Sequence, residues 1–207
     1  MNVWRDYGGR GTKVYCPDGW DKMTFEERVK AFLKSEDTVK RFDWPFPMGV
    51  FGTLRENQGN NRLMHRATVE QHRLAFLPHF YARGLSISTS ENSCAPFEVF
   101  YYTPEEWEKM IDPVDSLESF SPSYAHGTDK GGYYRTLAWL KLLPEGYTDK
   151  WFPSKERANL WGEIERDMRI PPKDWNNYES VPCWIYSNMA SNRRLKDNPT
   201  SPIIYPS

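Results

Sequence analysis

Gly49-Val50-Phe51-Gly52-Thr53-Leu54-Arg55 is a short apolar run that breaks into a glycine-bearing turn, with Asn57, Gly59 and Asn60 just beyond it. Val50 and Phe51 favour strand, and the glycine after them ends it. A strand that turns in this way points successive backbone N–H groups into one concavity, where they hold a carboxylate or a developing oxyanion. Alone the signal is weak, because a glycine after a strand is more often only a turn.

Upstream, Pro45-Phe46-Pro47 disfavours helix at each residue before a proline, which places a boundary near residue 46. Residues 1–46 read as an N-terminal helical extension. Thr24 and Glu27 form a capping box, and Phe25, Val29, Phe32 and Leu33 recur at helical spacing. So short a stretch buries too little to fold alone, so it is expected to pack on the main body through Trp4, Trp20, Phe25, Phe32 and Trp44.

Downstream the pattern is strand-rich, at Met48–Phe51, His72–Leu77, Phe97–Tyr102, Tyr134–Leu142 and Val181–Ser187. Two helices interrupt it. Thr103-Pro104-Glu105-Glu106 starts one with a capping box and a first-turn proline, and a second follows Ser154, with Trp161, Ile164 and Met168 on one face. The class is α+β, with one main domain over 47–190 and a tail over 191–207.

Asp115-Ser116-Leu117-Glu118 reads as lying after a helix and before an aromatic-rich loop, and Tyr133-Tyr134-Arg135 opens the next strand. Strand alternation puts Tyr133 and Arg135 on one face and Tyr134 on the other. Taken in order, these elements resemble the γ-glutamylcyclotransferase-like family. Phe51-Gly52-Thr53-Leu54-Arg55, with Asn60 after it, is similar to the family's Tyr-Gly-Ser/Thr-Leu loop. Glu98-Val99-Phe100 is similar to its Gly-Glu-Val-Tyr strand, Asp115 to Glu118 to its Leu-Asp-x-x-Glu-Gly segment, and Tyr133-Tyr134-Arg135 to its Tyr-x-Arg strand. Val181-Pro182-Cys183-Trp184-Ile185-Tyr186 resembles its last strand, so the likeness spans about residues 48–187. Phe51 stands where the family has tyrosine and Ser119 where it has glycine.

The resemblance implies a small mixed β-barrel flanked by helices, with the glycine loop and the acid at one mouth. It also implies an enzyme without cofactor or metal. In that reaction the α-amine of a γ-glutamyl compound attacks its own γ-carbonyl, giving 5-oxoproline and a free amine or amino acid. Glu118 is then the general base, Phe51, Gly52, Thr53, Leu54, Arg55, Asn60 and Tyr133 contact substrate, and Arg135 mainly supports the wall. The alternative on the same fold is a catalytically weak or dead protein that sequesters or senses a small metabolite. Residues 119–132 form a longer loop than the family's, either a mobile lid or a solvated surface insertion.

Composition removes other classes. Nine Trp, 12 Tyr and 11 Phe in 207 residues argue against disorder despite a mean hydropathy of -0.76. A net charge of -1 gives no overall attraction to nucleic acid or an anionic membrane, and the basic run Arg193-Arg194-Leu195-Lys196 reads as solvated surface. Cys16, Cys94 and Cys183 make neither a disulfide framework nor a zinc knuckle, and no apolar run spans a bilayer, so a soluble cytoplasmic protein is expected. His65, His72 and His79 are seven apart, about 10 Å along a helix, too far to share one metal ion. There is no Gly-x-Ser-x-Gly elbow, and Gly8-Gly9-Arg10-Gly11 lacks the Gly-Lys-Ser/Thr end of a phosphate loop.

Overall fold

The computed structural model describes residues 3–4, 14–36, 40–56, 58–83, 86–120, 133–145, 171–188 and 203–204. Along the chain lie strands β1 (Val3–Trp4) and β2 (Tyr15–Cys16), helix α1 (Phe25–Lys34), and strands β3 (Met48–Val50), β4 (Gln71–Arg83) and β5 (Ser86–Tyr101). Helix α2 (Pro104–Leu117) follows, then β6 (Tyr133–Leu142), β7 (Ser180–Asn188) and β8 (Ile203–Ile204). The helix expected after Ser154, the glycines at 8–11, the basic run at 193–196 and residues 121–132 lie outside the described residues. Among the described residues, no helix is long and apolar enough to cross a membrane.

The main sheet runs β4-β5-β3-β7-β6, with β8 beside β6, and pairing of β4 with β6 at Ala75–Leu142 and Phe76–Lys141 closes five strands into a barrel. The barrel is mixed. Met48 of β3 lies beside Trp184 of the parallel β7, while the other neighbours are antiparallel. Closure leaves few open edges for pairing with other chains.

The buried side chains of the strands divide between two main clusters. Ala75, Ala95, Ala138 and Cys183 pack together with Leu140 and Ile185 in one buried cluster. Gly49 belongs to this crowded face, because a Cβ there would stand 2.7 Å from Leu140 Cδ1 and 3.1 Å from Ile185 Cγ2. The opposite faces of the strands carry large rings, and the extension and helices cover them. Phe32 of α1 meets Trp44, Phe46 and Trp184 edge-on at 5.6, 5.7 and 5.6 Å, and Trp184 Nε1 donates to the Trp44 carbonyl at 2.7 Å. Trp20, Phe42 and Trp44 are all buried in the same cluster as Met48 and Trp107.

The elements differ in detail from the sequence expectation. The Thr24–Glu27 capping box is complete, but Leu33 is 47% exposed, because the buried stripe of α1 passes through Val29 and Phe32. At Thr103 only half a box forms: its hydroxyl accepts from the Glu106 amide at 3.1 Å, while the Glu106 carboxylate reaches out to the Thr68 amide at 2.6 Å. β4 and β5 are longer than their apolar cores suggest. Their pairing continues past Pro78 through a bulge in which His79 takes φ 66°, then resumes at Phe80 opposite Thr89. A bulge is where a strand tolerates proline, which has no N–H to give the ladder.

Gly49→Ala overfills the contact with Leu140 and Ile185 and is expected to lower stability by about 1–3 kcal/mol, read as a lower urea midpoint at unchanged slope.

Candidate active site

α2 does not stop at the expected loop. It continues through Pro113, so Asp115 sits in its last turn and Glu118 is its C-cap. Ser119 then takes φ 54°, its amide bonds the Ser116 carbonyl at 3.3 Å, and the Phe120 amide bonds the Asp115 carbonyl at 2.9 Å. This is the Schellman way of ending a helix, in which the left-handed residue is usually glycine. The Glu118 carbonyl accepts from the Tyr133 amide at 3.1 Å, which fixes the end of α2 against the start of β6.

Glu118 therefore faces a cavity of about 160 Å³ at the end of β3, lined also by Gly49, Val50, Phe51, Gly52, Thr53, Leu54, Asn60, Leu117, Tyr133 and Tyr186. Burial among these mostly apolar groups, and then the nearby Asp115 charge, push its carboxyl up to about 7. The Tyr133 hydroxyl is raised too, by burial and then by the Glu118 charge.

Behind the acid lies a buried ion pair. Arg135, wholly buried, has Nη1 3.3 Å from Asp115 Oδ2 and donates from Nη2 to the Phe42 carbonyl at 2.7 Å. Its guanidinium carbon also stands 5.1, 5.2 and 5.5 Å from the ring centres of Phe120, Trp184 and Trp107, so π faces stand in for water. The Tyr186 hydroxyl donates to the other Asp115 oxygen. Burial raises Asp115 to about 6 against the pull of Arg135 and Tyr186.

Across the cavity, the loop after β3 is shaped from within. The Arg55 amide bonds the Gly52 carbonyl at 3.1 Å, the Asn60 amide bonds the Thr53 carbonyl at 3.0 Å, and Asn60 Nδ2 donates to Thr53 Oγ1 at 2.9 Å. No backbone hydrogen bond among the described residues uses the amides of Gly52, Thr53 or Leu54. Glu118, its carboxyl near 7, and Gly52, Thr53 and Leu54 thus line one small, largely apolar space.

Of the residues singled out in the sequence, Phe51, Gly52, Thr53, Leu54, Asn60, Glu118 and Tyr133 come together around the cavity. Arg55 and Arg135 do not line it. Arg55 is 4% exposed, and Arg135 is buried behind the wall, while Tyr134 packs on Phe120 at 6.2 Å. The sequence reading missed Leu117 and Tyr186 as lining residues. Alternation with Trp184 in the last strand was the available signal for Tyr186. Among the described residues no group of His, Cys, Asp and Glu side chains is placed to hold a metal ion. No family model and no curated protein matches the chain.

Ser119→Gly relieves the left-handed backbone and is expected to raise stability by on the order of 0.5–1 kcal/mol in thermal unfolding. Glu118 holds its proton to higher pH when folded than unfolded, so its burial penalty is absent at low pH, grows between its ordinary value of 4.5 and about 7, and is full above that. Glu118→Gln is accordingly expected to stabilise the protein by roughly 1–2 kcal/mol at pH 8 and not at pH 3.5, as measured by urea unfolding at each pH.

Proposed function

We propose that this cavity cyclises a γ-glutamyl compound to 5-oxoproline, as the resemblance to γ-glutamylcyclotransferase-like proteins implies. The observation that carries the reading is that Glu118, its carboxyl near 7, lines one cavity with Gly52, Thr53 and Leu54, whose amides no backbone bond among the described residues uses. The nucleophile belongs to the substrate, so the protein has only to fold the substrate on itself, take a proton and hold an oxyanion.

The substrate's α-ammonium group is mostly protonated near neutral pH, and a base near 7 takes its proton far better than an ordinary carboxylate. Glu118 removes the ammonium proton, the freed nitrogen attacks the γ-carbonyl carbon, and the carbonyl oxygen becomes an oxyanion facing the loop amides. Collapse re-forms the carbonyl and breaks the bond to the leaving nitrogen, which takes the proton from Glu118. The ring nitrogen then gives up its second proton through the regenerated Glu118 carboxylate to the released amine, which leaves as ammonium, so the base ends as it began. Tyr133 bounds the substrate beside Glu118, and Arg135 with Asp115 holds the helix end that presents the acid.

Phe51 favours a second reading. It places a ring without a hydroxyl in the cavity where the family carries tyrosine, as suits a protein that binds the metabolite and turns it over slowly or not at all. Release of 5-oxoproline from a panel of γ-glutamyl amines, γ-glutamyl dipeptides and glutathione separates the two, with calorimetry to detect binding without turnover.

For a compound that is turned over, kcat is expected to rise with pH as Glu118 loses its proton, half-way near pH 7. Glu118→Gln is expected to lower kcat by about 10²- to 10⁴-fold while binding persists. Wild-type release by that variant would rule out Glu118 as the base.

A further inference from the structure

Glu98 lies on β5 between Val50 of β3 and Leu74 of β4, and is 5% exposed. A carboxylate so enclosed needs partners. Its Oε2 accepts from the Glu56 amide at 2.6 Å and stands 3.3 Å from His72 Nε2. His72 is held in turn, stacked on Phe100 at 4.6 Å with Nδ1 3.7 Å from the Glu56 carboxylate. The imidazole thus sits between two carboxylates, and its pKa is raised, chiefly by the bond to Glu98.

None of these three groups lines the cavity, yet Glu56 belongs to the loop that does. The bonds from Arg55 to Gly52, Asn60 to Thr53 and Asn61 Nδ2 to the Leu54 carbonyl give that loop its shape, but they run within it. Where the shaped loop stands relative to Glu118 depends on its ties to the barrel. The Glu98–Glu56 bond is such a tie, charge-assisted and anchored in a central strand. We infer that Glu98 is a positioning residue, its carboxylate steadied by His72 and setting where the Gly52–Leu54 amides stand across from Glu118. Its effect on turnover rests on the cyclotransferase reading; its effect on the loop does not.

The test compares full-length wild type, Glu98→Gln and His72→Gln by residue-resolved amide hydrogen exchange and by steady-state kinetics. Glu98→Gln keeps the shape and removes the charge. Exchange at the Arg55, Glu56 and Asn60 amides is expected to speed up roughly tenfold, while amides of α2 and β6 keep their wild-type rates. kcat is expected to fall about tenfold through misplaced amides, with the pH limb near 7 unmoved because Glu118 is untouched. His72→Gln, at a less buried position, is expected to act in the same direction by about threefold at pH 6, where the imidazolium is formed, and carries the test if Glu98→Gln does not fold.

Unchanged exchange at residues 55, 56 and 60, equal acceleration throughout the fold, or faster loop exchange with full kcat would each overturn the inference. If the wild type releases no 5-oxoproline from any compound, the functional reading fails and the exchange data alone decide whether Glu98 holds the loop.

Discussion

Arg135 ties the end of α2, the extension and β7 together at one buried charge. It carries an obligate positive charge into a space without water, and such a charge persists only where carboxylate, carbonyl and ring faces surround it. Asp115 comes from the end of α2, the Phe42 carbonyl from the extension, and Trp184 from β7. Because the guanidinium is planar and rigid, these three are held at fixed spacing and direction. Glu118 lies three residues beyond Asp115 at the same helix end, so its place follows from where that cation is buried, while its high proton affinity comes from its own burial and then from the Asp115 charge.

The aromatic layer makes the same point about packing. One face of the strands buries a cluster that includes Ala75, Ala95, Ala138 and Cys183, while Trp184, Phe100 and Tyr186 belong to the other cluster, with Trp184 packed against Phe32, Phe42 and Phe46. Trp44 and Phe46 are almost wholly buried there, so the extension is a wall of the core and not an appendage to it.

Much of this was legible in the sequence because it is local. The Thr24–Glu27 box and the strand runs around Met48, Phe97 and Val181 all depend on residues within a turn or two. What was not legible depends on distant partners. Glu106 leaves its own cap for the Thr68 amide, which no local pattern announces. α2 outlasts Pro113 because its last turn is fixed by Arg135, Tyr186 and a Schellman end, so Asp115 and Glu118 belong to a helix terminus and not to a loop. Arg55 follows the loop motif directly, yet its long side chain is buried, and the spacing of the motif says nothing of direction. The bulge at His79 likewise belongs to the pairing between two strands and not to either one alone.

The parallel contact between Met48 and Trp184 also has a consequence for how the chain assembles. The β4–β5 hairpin joins neighbours in sequence and needs no other part of the barrel. β3 lacks its second neighbour until β7 arrives, and the rings above it lack Trp184 for the same interval. During synthesis the extension and α1 thus leave the ribosome long before the surface they cover exists. Their large rings stay uncovered through most of translation, the period in which such surfaces recruit chaperones or one another.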